Sequence, residues 1–450
     1  MKRNTLCTLI LFCSLALSAQ EKKDIIKTGL NFGPLPAVGY DEDKGFQYGA
    51  ILQIFDYGDG TSYPNYESKT HIEYSRFTKG SQLIQVRHDN KTLIPGLRWS
   101  TMLRAEIDKA YDFYGLNGYA SNYGWERIAE GKSGENFRFN PFYRMQRNHF
   151  TFRSDFKGTI TGNFQWEAAL FAKYMKIGTI NYDNINKGKD ESTVFPADIP
   201  TLYDLYVESG TLNEKEADGG FSSGIRLGLA YDSRDKEGAP GSGIWAEAHV
   251  TAAPGFLSEE PYYRYSFTWR HYVPVIRNDV LTFAYRLNYE GNFGSYCPFY
   301  ILPFLTAMGE SIDRDGMGGY GTVRGIMRAR IVGLDMATYS AEFRWRFTRF
   351  RLRKQNIALA LNLFSDGAMV TRGCDLSPLR SVESPPVGIL GDRTKDSLHA
   401  SFGAGFRFIM NENFIVGVEY GTPLTRFMKN SPLYNQDGSG STYVNLGYCF

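Results

Sequence analysis

The chain has little of what marks soluble enzymes or helical membrane proteins. It carries five cysteines in 450 residues, and Cys7 and Cys13 fall inside an apolar N-terminal stretch. The other three, Cys297, Cys374 and Cys449, are too far apart for a metal-site spacing. The six histidines (His71, His88, His149, His249, His271 and His399) show no His-x-x-His spacing and no evident serine partner. The glycine-rich run Gly316 to Gly321 lacks the Lys-Ser/Thr of a phosphate loop. Charge of one sign is also missing. Fifty basic against 48 acidic residues leave a net charge of +2, which offers no field for nucleic acid and no acidic tail. After Ala19 no apolar run is long enough to cross a bilayer as a helix. No linker, low-complexity tract or second domain interrupts the chain. We therefore expect neither an enzyme nor a cofactor.

Aromatics and glycine are plentiful instead: 30 Tyr, 32 Phe and 47 Gly. With a mean hydropathy of -0.34, that composition suits a wall whose apolar and polar faces average out. The dominant pattern is period two. Leu281, Phe283, Tyr285, Leu287 and Tyr289 alternate with Thr282, Ala284, Arg286, Asn288 and Glu290. Tyr339, Ala341, Phe343, Trp345 and Phe347 alternate with Ser340, Glu342, Arg344, Arg346 and Thr348. Leu398 to Phe408 and Ile225 to Tyr231 repeat the pattern. One face is greasy. The other carries Arg, Glu, Asp and Ser, which suits a wet lumen better than a packed core.

The expected fold class is all-β, a transmembrane antiparallel β-barrel. Strands are predicted near 29–40, 45–57, 68–78, 81–89, 96–110, 143–157, 163–178, 220–233, 243–253, 262–274, 279–291, 337–349, 356–367, 397–410, 412–422 and 441–450. With the division near 68–89 left uncertain these make fifteen long runs. Closure requires an even number, so sixteen are expected, one of them hidden in 178–219 or 299–336. Short turns at 158–162, 234–242, 275–278, 350–355 and 410–412 alternate with long segments at 111–142, 179–219, 292–336, 368–396 and 423–440. That order puts the long loops on the external side. Cys297 and Cys374 then fall in neighbouring external loops, either bonded to each other or as two free thiols.

Both ends of the chain carry addresses. Lys2 and Arg3, the apolar run Leu6 to Leu17, and Ser18-Ala19 before Gln20 read as an export signal over 1–19. A short periplasmic lead-in, 20–28, and the barrel, 29–450, follow. At the other end Val444, Leu446, Tyr448 and Phe450 alternate with Tyr443, Asn445, Gly447 and Cys449. An amphipathic last strand ending in Phe resembles the assembly signal of outer-membrane proteins. Localisation in the bacterial outer membrane follows, with its lipids as surroundings and the barrel assembly machinery as the route of insertion.

Several motifs then converge. Gly318-Gly319-Tyr320-Gly321-Thr322-Val323-Arg324-Gly325-Ile326 follows Pro298-Phe299-Tyr300, and Tyr231-Asp232-Ser233-Arg234-Asp235 is followed by Pro240 and Gly243. Gly33-Pro34-Leu35-Pro36 runs through to Gly45. In order and spacing they resemble the barrel of the outer-membrane-protein assembly superfamily, the family of BamA, TamA and the two-partner secretion transporters. The resemblance covers residues 29 to 450. It implies a long sixth external loop folded into the barrel, with Arg324 and Gly325 at its tip. Alternation puts Glu342, Phe364 and Asp366 on the lumenal face, where Glu342 and Asp366 could pair with that arginine. The resemblance also implies a lateral seam between the first and last strands, carrying Pro34, Pro36, Val444, Gly447 and Phe450. The two prolines either remove donors from that seam or end the lead-in before the first strand.

The implied function is to assist insertion or translocation of proteins, or lipids, at the outer membrane. The alternative is a passive pore or structural barrel working with separate periplasmic partners. Client outer-membrane proteins and POTRA-type partners are the partners implied; nucleic acid and metal are not. The sequence departs from the family in Ile326, where an aromatic is usual, and in Gly367, one place early. It also lacks POTRA modules before residue 29 and a lipase domain.

Overall fold

The computed structural model describes residues 25–41, 45–118, 120–123, 140–188, 194, 200–309, 311, 313–381, 390 and 393–450. The expected signal, 1–19, lies outside them, as does the start of the lead-in. Sixteen strands form one sheet in which each pairs antiparallel with its sequence neighbours. They are β1 (Leu30–Asp41), β2 (Gly45–Asp56), β3 (Ser68–Phe77), β4 (Gln82–Ile94), β5 (Leu97–Asp112), β6 (Arg144–Thr161), β7 (Phe164–Gly178) and β8 (Gly219–Asp232). The second half comprises β9 (Gly243–Ala253), β10 (Tyr262–Ile276), β11 (Leu281–Asn292), β12 (Asp335–Leu352), β13 (Gln355–Arg372), β14 (His399–Met410), β15 (Phe414–Pro423) and β16 (Ser441–Leu446). The sheet is an up-and-down meander wound into a transmembrane barrel.

Two solvents explain the alternation. In β13, Leu361 and Leu363 point outward, 41% and 63% exposed, while Asn362, Phe364 and Asp366 between and beyond them are buried. Lipid takes the first set. The second faces a lumen filled by charged side chains and by loop six, residues 293–334 between β11 and β12. At the external end, the loops that follow β5, β7, β11 and β13 share an apolar cluster that includes Phe113, Tyr206, Leu302, Val332 and Leu379. Phe113 and Tyr206 meet edge to face, 5.3 Å between ring centroids. The helix Leu202–Glu208 under this cluster is fixed by a capping box between Thr201 and Asp204.

Two expectations need correction, and two open points are decided. First, the sixteenth strand is hidden neither in 178–219 nor in 299–336. The described residues there hold short helices and a two-residue ribbon, Phe304–Leu305 with Arg314–Asp315. The count is completed by a real turn between β3 and β4, where Phe77 N–H donates to Ser81 O at 2.7 Å. Second, β16 does not run to Phe450. It ends at Leu446, and Gly447 adopts φ +85°, a left-handed turn open to glycine. Gly367, one place early for the family, pairs with Tyr339 in an unbroken stretch of ladder. The Tyr339 ring occupies the space a Cβ would need, 2.2 Å from it. Of the two alternatives for Cys297 and Cys374, the structure has free thiols. Burial pushes the Cys297 thiol up to about 12, which keeps it protonated and inert.

Candidate functional site: the loop-six cluster and the first/last edge

Loop six turns back into the lumen at a glycine-rich hairpin. Gly318 N–H donates to Thr322 Oγ1 and Gly319 N–H to Ile326 O, at 3.0 and 2.9 Å. Gly325 follows with φ +89°, and a Cβ there would lie 2.5 Å from the Thr422 backbone nitrogen. Only glycine lets the loop come this close to β15. Its own N–H donates to the Tyr443 hydroxyl on β16, at 2.9 Å.

This geometry aims Arg324 at the wall. Its guanidinium grips Asp366 through Nε (2.7 Å) and Nη2 (2.9 Å), and its backbone N–H donates to the same carboxylate at 3.0 Å. Nη1 donates to Glu342 at 2.5 Å and to Glu419 at 3.0 Å. The cation lies 3.6 Å from the centroid of the Phe364 ring. Arg344 in turn donates to Glu342 (2.8 Å) and Arg407 to Glu419 (2.6 Å). Three guanidiniums thus face three carboxylates, and every ion is at most 3% exposed. Such a cluster contributes little net stability but leaves no partner removable without cost.

The structure therefore brings Arg324, Gly325, Glu342, Phe364 and Asp366 together. Sequence reasoning missed Glu419, although its place on a lumen-facing strand position was available. It also missed a second anchor higher in the loop. Asp313 accepts from Lys173 (2.7 Å), Arg153 (2.9 Å) and Arg226 (3.2 Å) on three different strands. Burial alone would raise the Asp313 pKa, but those cations hold it well below the usual carboxylate range. Ile326, which departs from the expected aromatic, is fully buried with Met317, Val323, Ile331, Met336 and Val370. An aliphatic knot stands where an aromatic contact was in doubt.

The first and last strands are unequal. β1 spans twelve residues and β16 six. Among the described residues no ladder joins them; the sheet runs from β1 at one end to β16 at the other. Pro34 and Pro36 lie inside β1, opposite Leu52 and Ala50 of β2, and not in a lead-in before it. Val38 and Val444 face outward, 59% and 71% exposed. Beyond Gly447 the chain leaves the wall. Tyr448 and Phe450, expected to face outward in line with Val444, turn into the lumen. There the Tyr448 ring lies 4.1 Å from the Arg344 guanidinium and 4.4 Å from that of Arg407. Near the periplasmic end of β1, the Phe414 ring of β15 covers Gly33 at a distance that leaves no room for a Cβ.

One cluster with metal-ligand chemistry occurs among the described residues, Glu167, Glu247 and His249. It is already balanced: Lys157 pairs with Glu167 at 2.5 Å and Arg270 with Glu247 at 2.6 Å. A dication would have to displace both, so the residues do not favour one.

Residues 114–432 match the Omp85 superfamily domain. The structure is similar to that of BamA from Haemophilus ducreyi lacking POTRA domains 1-3, with a TM-score of 0.50 and 16% identity over 93% of this chain and 71% of the other. It is also similar to CdiB from Escherichia coli, with a TM-score of 0.51 and 10% identity over 93% of this chain. The chain spans 62% of that CdiB structure's length. At these identities the likeness is one of fold. A comparison with curated proteins gives no match.

Proposed function

The chain belongs to the Omp85 superfamily, and from that premise we propose that it assists insertion or translocation of proteins, or lipids, at the outer membrane through the edge between β1 and β16. The observation that carries this reading is the state of that edge. A six-residue last strand stands beside a twelve-residue first strand, without a ladder between them among the described residues. Unpaired strand edges present N–H and C=O groups to any incoming strand, and an extended client segment can add to such an edge by main-chain hydrogen bonds. Pro34 and Pro36 each remove one donor from β1, which favours a weak closing contact over a permanent one. Loop six, held by Arg324 against Glu342, Asp366 and Glu419, then acts as a lock that fixes the plug in one register. Neither nucleotide nor metal is needed for strand exchange.

The test is a reversible disulfide across the edge, Val38→Cys with Val444→Cys, after replacement of the native cysteines. Loss of client assembly on oxidation, restored by reduction, supports the reading. Efficient locking with full activity refutes it and favours a barrel that works closed, as a pore or scaffold with periplasmic partners.

A further inference from the structure

Three lumenal arginines each hold loop six, or its carboxylate partners, on one side and the segment beyond β16 on the other. Arg344 donates through Nε to Glu342 (2.8 Å), the partner of Arg324, and through Nη2 to the main-chain oxygen of Phe450 (2.8 Å). Arg407 donates to Glu419 (2.6 Å), also a partner of Arg324, and to the Gly447 carbonyl (2.7 Å). Arg286 donates to the loop-six carbonyls of Gly321 (3.1 Å) and Thr322 (3.2 Å), and its guanidinium lies 5.2 Å from the Phe450 ring. These side chains come from β11, β12 and β14, so the arrangement is built by the wall and not by the loop or the tail. Cys449, between Tyr448 and Phe450, is 2% exposed as a result.

We infer that Arg286, Arg344 and Arg407 are positioning residues that couple the docking of loop six to the inward turn of residues 447–450. When Arg324 leaves, Glu342 and Glu419 each lose one of two cations, and the remaining arginines are drawn toward the carboxylates and away from Phe450 O and Gly447 O. Arg286 loses the two carbonyls that orient it. The tail then keeps only the bond from Gly447 N–H to Ile415 O (3.0 Å) and the apolar contact of Tyr448 with the cluster of Ile409 and Ile415, and the β16 edge gains freedom to straighten or peel. Coupling of this kind is reciprocal: whatever releases the tail weakens the loop by the same factor. That the β16 edge is the working edge rests on the function proposed above; the coupling itself does not.

Two readouts test it on the full barrel in a lipid bilayer, with every cysteine except Cys449 replaced by alanine. One is the rate of maleimide labelling at Cys449, and the other is protease cleavage within loop six. Ile326→Ala touches only the loop side, Tyr448→Ala only the tail side, and Arg344→Gln both. Coupling requires both readouts to rise together in each variant, by about tenfold, with the heat-modified mobility of the barrel unchanged. A variant in which one readout rises and the other keeps its native rate overturns the inference. So does an Arg344→Gln barrel that moves neither. Should Ile326→Ala fail to assemble, Tyr448→Ala decides in a Tyr443→Phe background, which lacks the direct bond from Gly325 N–H to β16. No client is present, so a negative result in the Val38–Val444 experiment would leave this outcome standing.

Discussion

Replacing Arg324 by alanine removes one cation from a cluster of three guanidiniums and three carboxylates. Arg344 still neutralises Glu342 and Arg407 still neutralises Glu419. Asp366, fully buried, loses both side-chain bonds from Arg324 and keeps the backbone N–H of residue 324. Stranding one member of a buried ion pair costs about 3–5 kcal/mol. The cost falls on the docked state of loop six, since an undocked loop leaves the carboxylate open to water. At about 1.4 kcal/mol per decade, the undocked fraction should rise about a hundredfold to a few thousandfold. Proteolysis follows that fraction when opening and closing outpace cleavage. Limited digestion from the external side should therefore cut within loop six much faster in Arg324→Ala, and conductance in planar bilayers should rise. Cleavage and conductance at native levels would refute the claim that Arg324 holds the loop.

Facing and charge make further expectations. Leu363→Arg puts a cation on the lipid face and should cost about 2–4 kcal/mol near the bilayer midplane, whereas Thr338→Arg on the lumenal face, beside the central cavity, should cost far less; urea titration of the folded barrel in liposomes compares them. In the β14–β15 turn, burial raises the Glu412 pKa, but Arg346 and Lys236 outweigh it and hold it at about 2 against an ordinary 4.5. A depressed carboxylate contributes its full stability above pH 4.5 and loses it as pH falls through about 2. Stability should thus decline across that window, and less steeply in Glu412→Gln. An identical slope in the two proteins would refute the role given to Glu412.

Period two made most of the wall legible, because lipid outside and water inside sort residues by parity. Glu342, Phe364 and Asp366 were found that way. Parity alone cannot say which lumenal carboxylates share one guanidinium. That depends on register, such as Ser340 opposite Asp366 and Gly403 opposite Gly421, and Glu419 reaches Arg324 through such alignments. Asp313 was illegible for a different reason: it sits in a loop with no period, and its three cations come from strands far away in sequence. The tail misled because Val444, Leu446, Tyr448 and Phe450 keep perfect alternation. A single positive φ at Gly447 takes Tyr448 and Phe450 off the face that parity assigns them, and period two carries no trace of it.

Loop six has two kinds of attachment, and they should fail differently. The knot of Met317, Val323, Ile326 and Ile331 against Met336 and Val370 is apolar and has no preferred direction. The Arg324 fork has direction, since Asp366 accepts from both Nε and Nη2 and only one orientation satisfies both bonds. Ile326→Ala should weaken docking by about 2–5 kcal/mol through the cavity it leaves, yet each docked molecule should keep the native register. Arg324→Ala should leave the knot to hold the loop in several registers. Electron-spin distance measurements between a label in loop six and one on the outer face of β13 distinguish the two. Ile326→Ala is expected to keep the native distance at reduced amplitude, and Arg324→Ala to broaden it. If Ile326→Ala broadens the distribution as much as Arg324→Ala does, then apolar packing sets the register and the ion cluster only follows it.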